Sequence, residues 1–259
     1  MVRLEDIHKV FKKGTVDEKR AIDGLDLHVA DGEFLTVIGS NGAGKTTMLN
    51  LISGTYAPDR GEIYIAGDRV SDLPEHSRAK YLGRIFQDPL MGTAASMTIE
   101  ENLAMADLRG RRRGLKWGVP KDRRSFYRDS LKMLGLGLED RLKDQVSLLS
   151  GGQRQSLTLL MATLSMPKLL LLDEHTAALD PKTGSLVMEL TDKIVTENKL
   201  TTIMVTHNMN QAIRYGNSMI MLHEGRLKFE VSGEAKRLLT VEEVVKRFGS
   251  ELKDETLLS

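Results

Sequence analysis

Residues Phe34–Ile38 run directly into Gly39-Ser40-Asn41-Gly42-Ala43-Gly44-Lys45-Thr46-Thr47, and this junction decides the fold. The short apolar run reads as a buried strand and the glycine-rich stretch as a phosphate-binding loop. Thr46–Ser53, stopped by Gly54, reads as the helix that follows. Glycine is needed because backbone N–H groups must wrap closely around phosphate oxygens, in conformations that a Cβ obstructs. Lys45 brings a positive charge to the β- and γ-phosphates, and the Thr46 hydroxyl can ligate Mg²⁺. The helix then points the positive end of its dipole at the anion.

Working outward, Val2–Ile7 and Leu25–Val29 alternate as strands, with turn signals at Gly14, Gly24 and Asp31-Gly32. Strand-like pieces follow at Ile63–Ile65 and Arg84–Phe86, and residues 88–165 read as helical. Thr98 with Glu101, and Ser150 with Gln153, predict two capping boxes; Pro167 stops the second of these helices. Beyond it strand and helix alternate: Leu169–Leu172, Pro181–Glu197, Thr201–Val205, Met209–Tyr215, Met219–Leu222 and Leu227–Val231. Such alternation predicts an α/β fold, a P-loop NTPase core with a mostly parallel sheet. Added to it are an N-terminal antiparallel β subdomain and an inserted helical subdomain. The expected division is one domain, 1–259, with 1–86 and 166–259 as core and 87–165 as helical subdomain. From Val241 the chain is charged and amphipathic.

Composition narrows the function. Lys+Arg 37 against Asp+Glu 36 gives a net charge of +1, which argues against a surface built for nucleic acid. The absence of cysteine excludes disulfides, thiolate chemistry and cysteine-ligated metals. The N-terminus, MVRLEDIHKVFKKG, lacks the apolar segment of a signal peptide. The apolar run at Leu169 is far shorter than the ~20 residues that cross a bilayer. Work at a membrane therefore requires another chain to hold this one there.

The run Leu169-Leu170-Leu171-Leu172-Asp173-Glu174 is a buried strand ending in two carboxylates. Asp173 can bind Mg²⁺, and Glu174 can accept a proton from an attacking water. A phosphate loop with this strand also fits a GTPase or a nucleotide kinase. Leu149-Ser150-Gly151-Gly152-Gln153 excludes them: as a fixed pentapeptide it arises by chance in well under roughly 0.1% of chains this long, and it also opens a helix, as an anion-binding N-terminus must.

At this point the sequence resembles the ATP-binding cassette family over nearly its whole length. The resemblance implies ATP and Mg²⁺ as cofactors. It implies nucleotide contacts from Phe11, on adenine, from the loop Gly39 to Thr47, and from Ser150, Gly151, Gly152 and Gln153. Mg²⁺ falls to Thr46, Gln87 and Asp173, and catalysis to Glu174, His207, Gln87 and Lys45. Gln87 lies in RIFQDP and His207 in VTHN; Asp180, in AALD, matches the loop after the carboxylates. Phe86 and Tyr215 read as packing. His175 departs from the proline that commonly follows the family's glutamate; it is a tolerated substitution or a titratable group that tunes Glu174. DEHTAALDP also resembles a poorly characterised subgroup of import ATPases, some linked to amino-acid uptake.

The family resemblance further implies a head-to-tail homodimer holding two ATP at the cytoplasmic face of the membrane. A separate permease docks on the helical subdomain, and a solute-binding protein completes an importer of a small solute such as an amino acid. The alternative is a cytosolic ATPase that drives assembly of another complex, as in iron–sulfur cluster biogenesis. A DNA-maintenance ATPase needs a long coiled coil between loop and signature, where this chain has only about a hundred residues without heptads. Arg109 to Arg128 holds nine basic residues against Asp122, a local +8. It reads as a solvated loop or as a contact with the permease or with anionic headgroups.

Overall fold

The computed structural model describes residues 1–110, 119 and 123–248, apart from the Arg247 side chain. Its elements, in chain order, are β1 (Val2–Phe11), β2 (Lys19–Val29), β3 (Phe34–Ile38), α1 (Lys45–Ser53), β4 (Arg60–Ile65), β5 (Asp68–Arg69), α2 (Glu75–Arg78), β6 (Leu82–Ile85), α3 (Ile99–Asp107), α4 (Arg124–Lys132), α5 (Gly151–Thr163), β7 (Leu169–Asp173), α6 (Pro181–Asn198), β8 (Thr201–Val205), α7 (Met209–Arg214), β9 (Ser218–His223), β10 (Arg226–Ser232), α8 (Gly233–Arg237) and α9 (Val241–Phe248). These divide into two units, Met1–Tyr81 with Lys199–Ser259, and Leu82–Asn198. The fold is α/β of the P-loop NTPase kind, with antiparallel and parallel pairings as the alternation predicts.

In the first unit, β2-β1-β4-β5 form an antiparallel sheet. Val2, Leu4 and Ile7 of β1 are all buried, although strict alternation would put Ile7 on the opposite face from the other two. A register shift between Leu4 and Ile7 resolves the conflict. At the bulge Asp6 has φ +47°, and its N–H donates to the Asp26 carboxylate at 2.8 Å. β3 lies between β8 and β9, parallel to both, and all five of its residues are buried. Covered on both faces, it is apolar except at Thr36, whose buried hydroxyl donates to the Ala212 carbonyl at 2.9 Å. Ile38, Met209, Ala212, Met219, Met221, Leu239 and Val244 form a core against α7 and α9. Val241–Phe248, the start of the charged amphipathic stretch, thus becomes a covering helix.

In the second unit β6 pairs in parallel with β7, whose residues are all buried. The helices close on Ile99, Leu103, Tyr127, Leu131, Leu157 and Leu160. Both capping boxes form. The Thr98 hydroxyl accepts from the Glu101 N–H at 3.3 Å, and the Glu101 carboxylate from the Thr98 N–H at 2.7 Å. Ser150 and Gln153 make the same reciprocal pair, at 3.3 and 3.1 Å.

The basic stretch is partly consumed by the fold. Arg123 grips Asp107 with two bonds of 2.8 and 2.7 Å, and Arg124 grips Glu100 at 2.8 and 3.0 Å. Both acids lie on α3, outside the stretch, so a count within it overstates the local field. Arg128 donates to the Glu139 carbonyl at 3.3 Å. Arg109 turns onto the end of α5, donating to the carbonyls of Met161 (3.4 Å), Ala162 (3.1 Å) and also Leu82 (3.5 Å). Arg111, Arg112, Arg113, Lys116, Lys121 and Asp122 lie outside the described residues.

The last carbonyls of a helix need partners, and a buried one left without them costs about 1–3 kcal/mol. Arg109→Met keeps the apolar stem and removes the donors. Denaturant titration should show a loss of stability of that size; an unchanged midpoint would mean that water replaces the guanidinium.

Candidate nucleotide-binding and hydrolysis site

The first unit carries the phosphate loop. Gly44 has φ +104°, and a Cβ there would fall 2.6 Å from the Ala21 carbonyl oxygen, so no other residue fits. The loop is closed by the Ala43 N–H on the Ser40 carbonyl at 3.1 Å, and α1 starts with the Met48 N–H on the Gly44 carbonyl at 2.8 Å. Lys45 is buried, and its ammonium donates to the carbonyls of Gly39 (2.6 Å) and Ser40 (3.1 Å). The cation is thus stationed inside the loop itself. Val37 pairs in parallel with Val205, so Gly39 and His207 leave the sheet at the same end. The Thr206 N–H binds the Val37 carbonyl at 3.2 Å, and Asn208 caps α7 by accepting from the Gln211 N–H at 2.9 Å. His207 is held between these two fixed neighbours.

Phe11 ends β1, and its ring meets Tyr56 edge-on, centroids 5.2 Å apart at 73°. The Lys9 ammonium stands 5.7 Å from the Phe11 centroid. Tyr56 was not identified from the sequence as part of this region. No local pattern joins two aromatics so far apart in the chain.

The second unit carries the carboxylates and the signature. Ile85 pairs in parallel with Leu172, so Gln87 and the pair Asp173–Glu174 emerge at one end. Asp173 is buried, with the Arg84 guanidinium 3.6 Å from its carboxylate. Glu174 adopts φ +45°, the left-handed region that a side chain disfavours. Asp180 accepts from the Thr183 N–H at 3.1 Å and caps α6, with Pro181 at the first helical position. The Thr183 hydroxyl, first, and its N–H hold the Asp180 carboxyl below its ordinary pKa. At the head of α5, Ser150 and Gly151 are exposed. Gly152 is not: a Cβ there would lie 2.1 Å from the Thr183 methyl, so α6 requires this glycine.

His175 takes a structural place. Its ring is 2% exposed, and Nε2 lies 3.1 Å from the Thr191 hydroxyl. That hydroxyl donates to the Val187 carbonyl at 2.8 Å, so Nε2 is the donor to it. Burial pushes the imidazole down to about 4. The ring is neutral at pH 7 and packs against α6.

A phosphate loop at the end of a parallel strand, with strand-end carboxylates elsewhere in the chain, defines a nucleoside-triphosphate-binding protein. Residues 22–177 match the family model described as ABC transporter. Over 248 residues the chain is 44% identical to the tyrosine transport ATP-binding protein of Clostridioides difficile (strain R20291), covering 96% of this chain and 98% of that protein. It is 33% identical to the glycine betaine/carnitine/choline transport ATP-binding protein OpuCA of Bacillus subtilis (strain 168), covering 88% of this chain and 56% of that one. Among solved structures it resembles the ATP-binding cassette MJ0796 in a dimeric, post-hydrolysis state bound to ADP and Pi. The TM-score is 0.76 at 32% identity, over 90% of this chain and 98% of that one. The chain belongs to the ABC transporter family of ATP-binding cassettes, and it is an ATPase.

The buried His175 makes stability pH-dependent. An unfolded histidine titrates near 6.5, the folded ring at about 4. As pH falls through this window the unfolded chain binds a proton that the folded ring refuses, so stability declines. Between pH 7 and pH 5 this contribution is about 2 kcal/mol. His175→Gln should flatten the pH profile of chemical denaturation by that amount; a variant with the slope of the wild type would remove His175 as its source.

Proposed function

We propose that this chain is the ATPase subunit of an importer for a small solute, with an amino acid such as tyrosine as cargo. The observation that carries the cargo is the 44% identity to a tyrosine transport ATP-binding protein along almost the full length of both chains. The motif set supports the machinery. Lys45 and the amides of Gly39 to Thr47 take the ATP phosphates, and Phe11 stacks on the adenine. Glu174 accepts the proton of the attacking water, and His207 holds the γ-phosphate.

Thr46, Gln87 and Asp173 would hold Mg²⁺. Their donors are all oxygens, as a hard cation requires, and Asp173 is a buried carboxylate at a strand end. Among the described residues no group of three or more His, Cys, Asp or Glu forms a metal cage of its own. That fits an ion held by few protein ligands together with substrate phosphates. When bound, the ion neutralises charge on the β- and γ-phosphates.

Two copies would pair head to tail, each ATP lying between the loop of one and Ser150, Gly151, Gly152 and Gln153 of the other, in a twofold arrangement. The exposed head of α5 supports this, as does the dimeric state of the related cassette. ATP then favours the closed pair because its γ-phosphate touches both copies only there, and hydrolysis removes that contact. A permease would dock on the helical unit, whose Leu90 and Met91, just after Gln87, are exposed apolar side chains. With a solute-binding protein on the other side, the chain would sit at the cytoplasmic face of the membrane. No helix among the described residues is long and apolar enough to cross a bilayer.

Glu174→Gln keeps the shape but cannot take the proton. Turnover should fall by about 10²–10⁴-fold with ATP binding intact, and size-exclusion chromatography should show an ATP-dependent dimer. Turnover at the wild-type rate would remove Glu174 from the role of base.

The cargo is tested in vesicles containing the ATPase, its permease and its binding protein. ATP-dependent uptake of labelled tyrosine, competed by related amino acids, is expected. Uptake that no amino acid supports would overturn the cargo assignment while leaving the ATPase untouched.

A further inference from the structure

Gln155 sits on α5, two residues beyond the signature, and is 0% exposed. Its side-chain amide donates twice. One bond, 2.7 Å, goes to the carbonyl of His175, the residue after Glu174. The other, 3.3 Å, goes to the carbonyl of Phe86, the residue before Gln87. Two carbonyls can be met only by the NH₂ end, so the orientation of the amide is fixed. Its oxygen, Oε1, is buried and has no partner among the described residues. A buried glutamine with an unused acceptor is an expensive choice for packing alone, where an apolar side chain of equal length would serve.

Those bonds land where the backbone is strained. Glu174 is a non-glycine residue at φ +45°, a conformation that persists only when its surroundings hold it. The next residue is gripped from two sides. Gln155 of α5 holds the His175 carbonyl, and Thr191 of α6 holds the His175 ring at 3.1 Å.

We infer that Gln155 is a positioning residue: its amide holds the His175–Thr176 peptide, one beyond Glu174, so that the left-handed turn at Glu174 aims the carboxylate at the attacking water. The inference rests on the proposed role of Glu174 as base. Without the amide, Glu174 relaxes toward an ordinary backbone conformation and its carboxylate swings off line. The Phe86 bond ties the approach to Gln87 to the same side chain. The helix that begins at Ser150 therefore sets the geometry of the carboxylate in its own subunit. In the head-to-tail pair it also meets the partner's nucleotide. Both bonds stay within the second unit, whereas the phosphate loop belongs to the first, so ATP affinity is what Gln155 should leave unchanged.

The test is Gln155→Met, which keeps length and volume and removes both donors, made in the wild type and in Glu174→Gln. Single-turnover hydrolysis and ATP affinity are measured on the full chain. In the wild type the hydrolysis rate should fall by about ten- to a hundredfold, as expected for a misplaced catalytic group, with affinity within about twofold. In Glu174→Gln the same change should cost less than about twofold, because the group being aimed is already gone. A Gln155→Met variant as fast as wild type would overturn the inference. So would an equal loss in both backgrounds. If Gln155→Met fails to bind ATP, Gln155→Leu takes its place, and loss of binding in both assigns the amide to the fold instead. Hydrolysis by Glu174→Gln alone at the wild-type rate would sink the base assignment, and this inference with it, and that single variant tells the two failures apart.

Discussion

Two strands that pair in parallel deliver their carboxyl ends to the same side, and the cassette uses this twice. In the first unit the Val37–Val205 pairing brings out the phosphate loop beside His207. In the second the Ile85–Leu172 pairing brings out Gln87 beside Asp173 and Glu174. Slipping either register by one residue would turn the buried side chains to the wrong face, so packing and chemistry are fixed together. The apolar content of β3 and β7 serves the site as much as the core.

The two helices whose N-termini are proposed to face phosphate, α1 and α5, share a second device at their other ends. α1 finishes against Arg78, a buried guanidinium that donates to the carbonyls of Leu51 (2.7 Å) and Ile52 (3.0 Å). α5 finishes against Arg109, which donates to those of Met161 and Ala162. A cation at the C-terminus complements the helix dipole as an anion does at the N-terminus, and it satisfies carbonyls that the helix cannot. Both arginines keep further backbone bonds, Arg78 to Leu73 and Ser71 and Arg109 to Leu82. Each helix is therefore anchored at its C-terminal end.

The departure at His175 has a related explanation. A proline fixes its own backbone without a partner, whereas a histidine must be held from outside. Here the ring binds Thr191 on α6 and the carbonyl binds Gln155 on α5. Burial keeps the ring uncharged, so the substitution changes how the turn after Glu174 is supported more than the charge around it.

What the sequence by itself determined is what physics writes into a few neighbouring residues. The strand–loop–helix at Gly39–Thr47, the capping boxes at Thr98 and Ser150, the apolar runs of β3 and β7 and the family motifs were all legible, because each depends on local spacing. The bulge at Asp6 was only half legible: Val2, Leu4 and Ile7 break the alternation, but the kink that reconciles them needs Asp26 on the next strand. Tertiary structure alone decided the rest. Tyr56 against Phe11, Arg109 on the end of α5, Glu100 and Asp107 neutralising Arg124 and Arg123, and Gln155 behind Glu174 are pairings between distant segments. A buried polar group must find a partner within about 3 Å. Which partner it finds is settled only when the sheet and helices bring remote parts of the chain together.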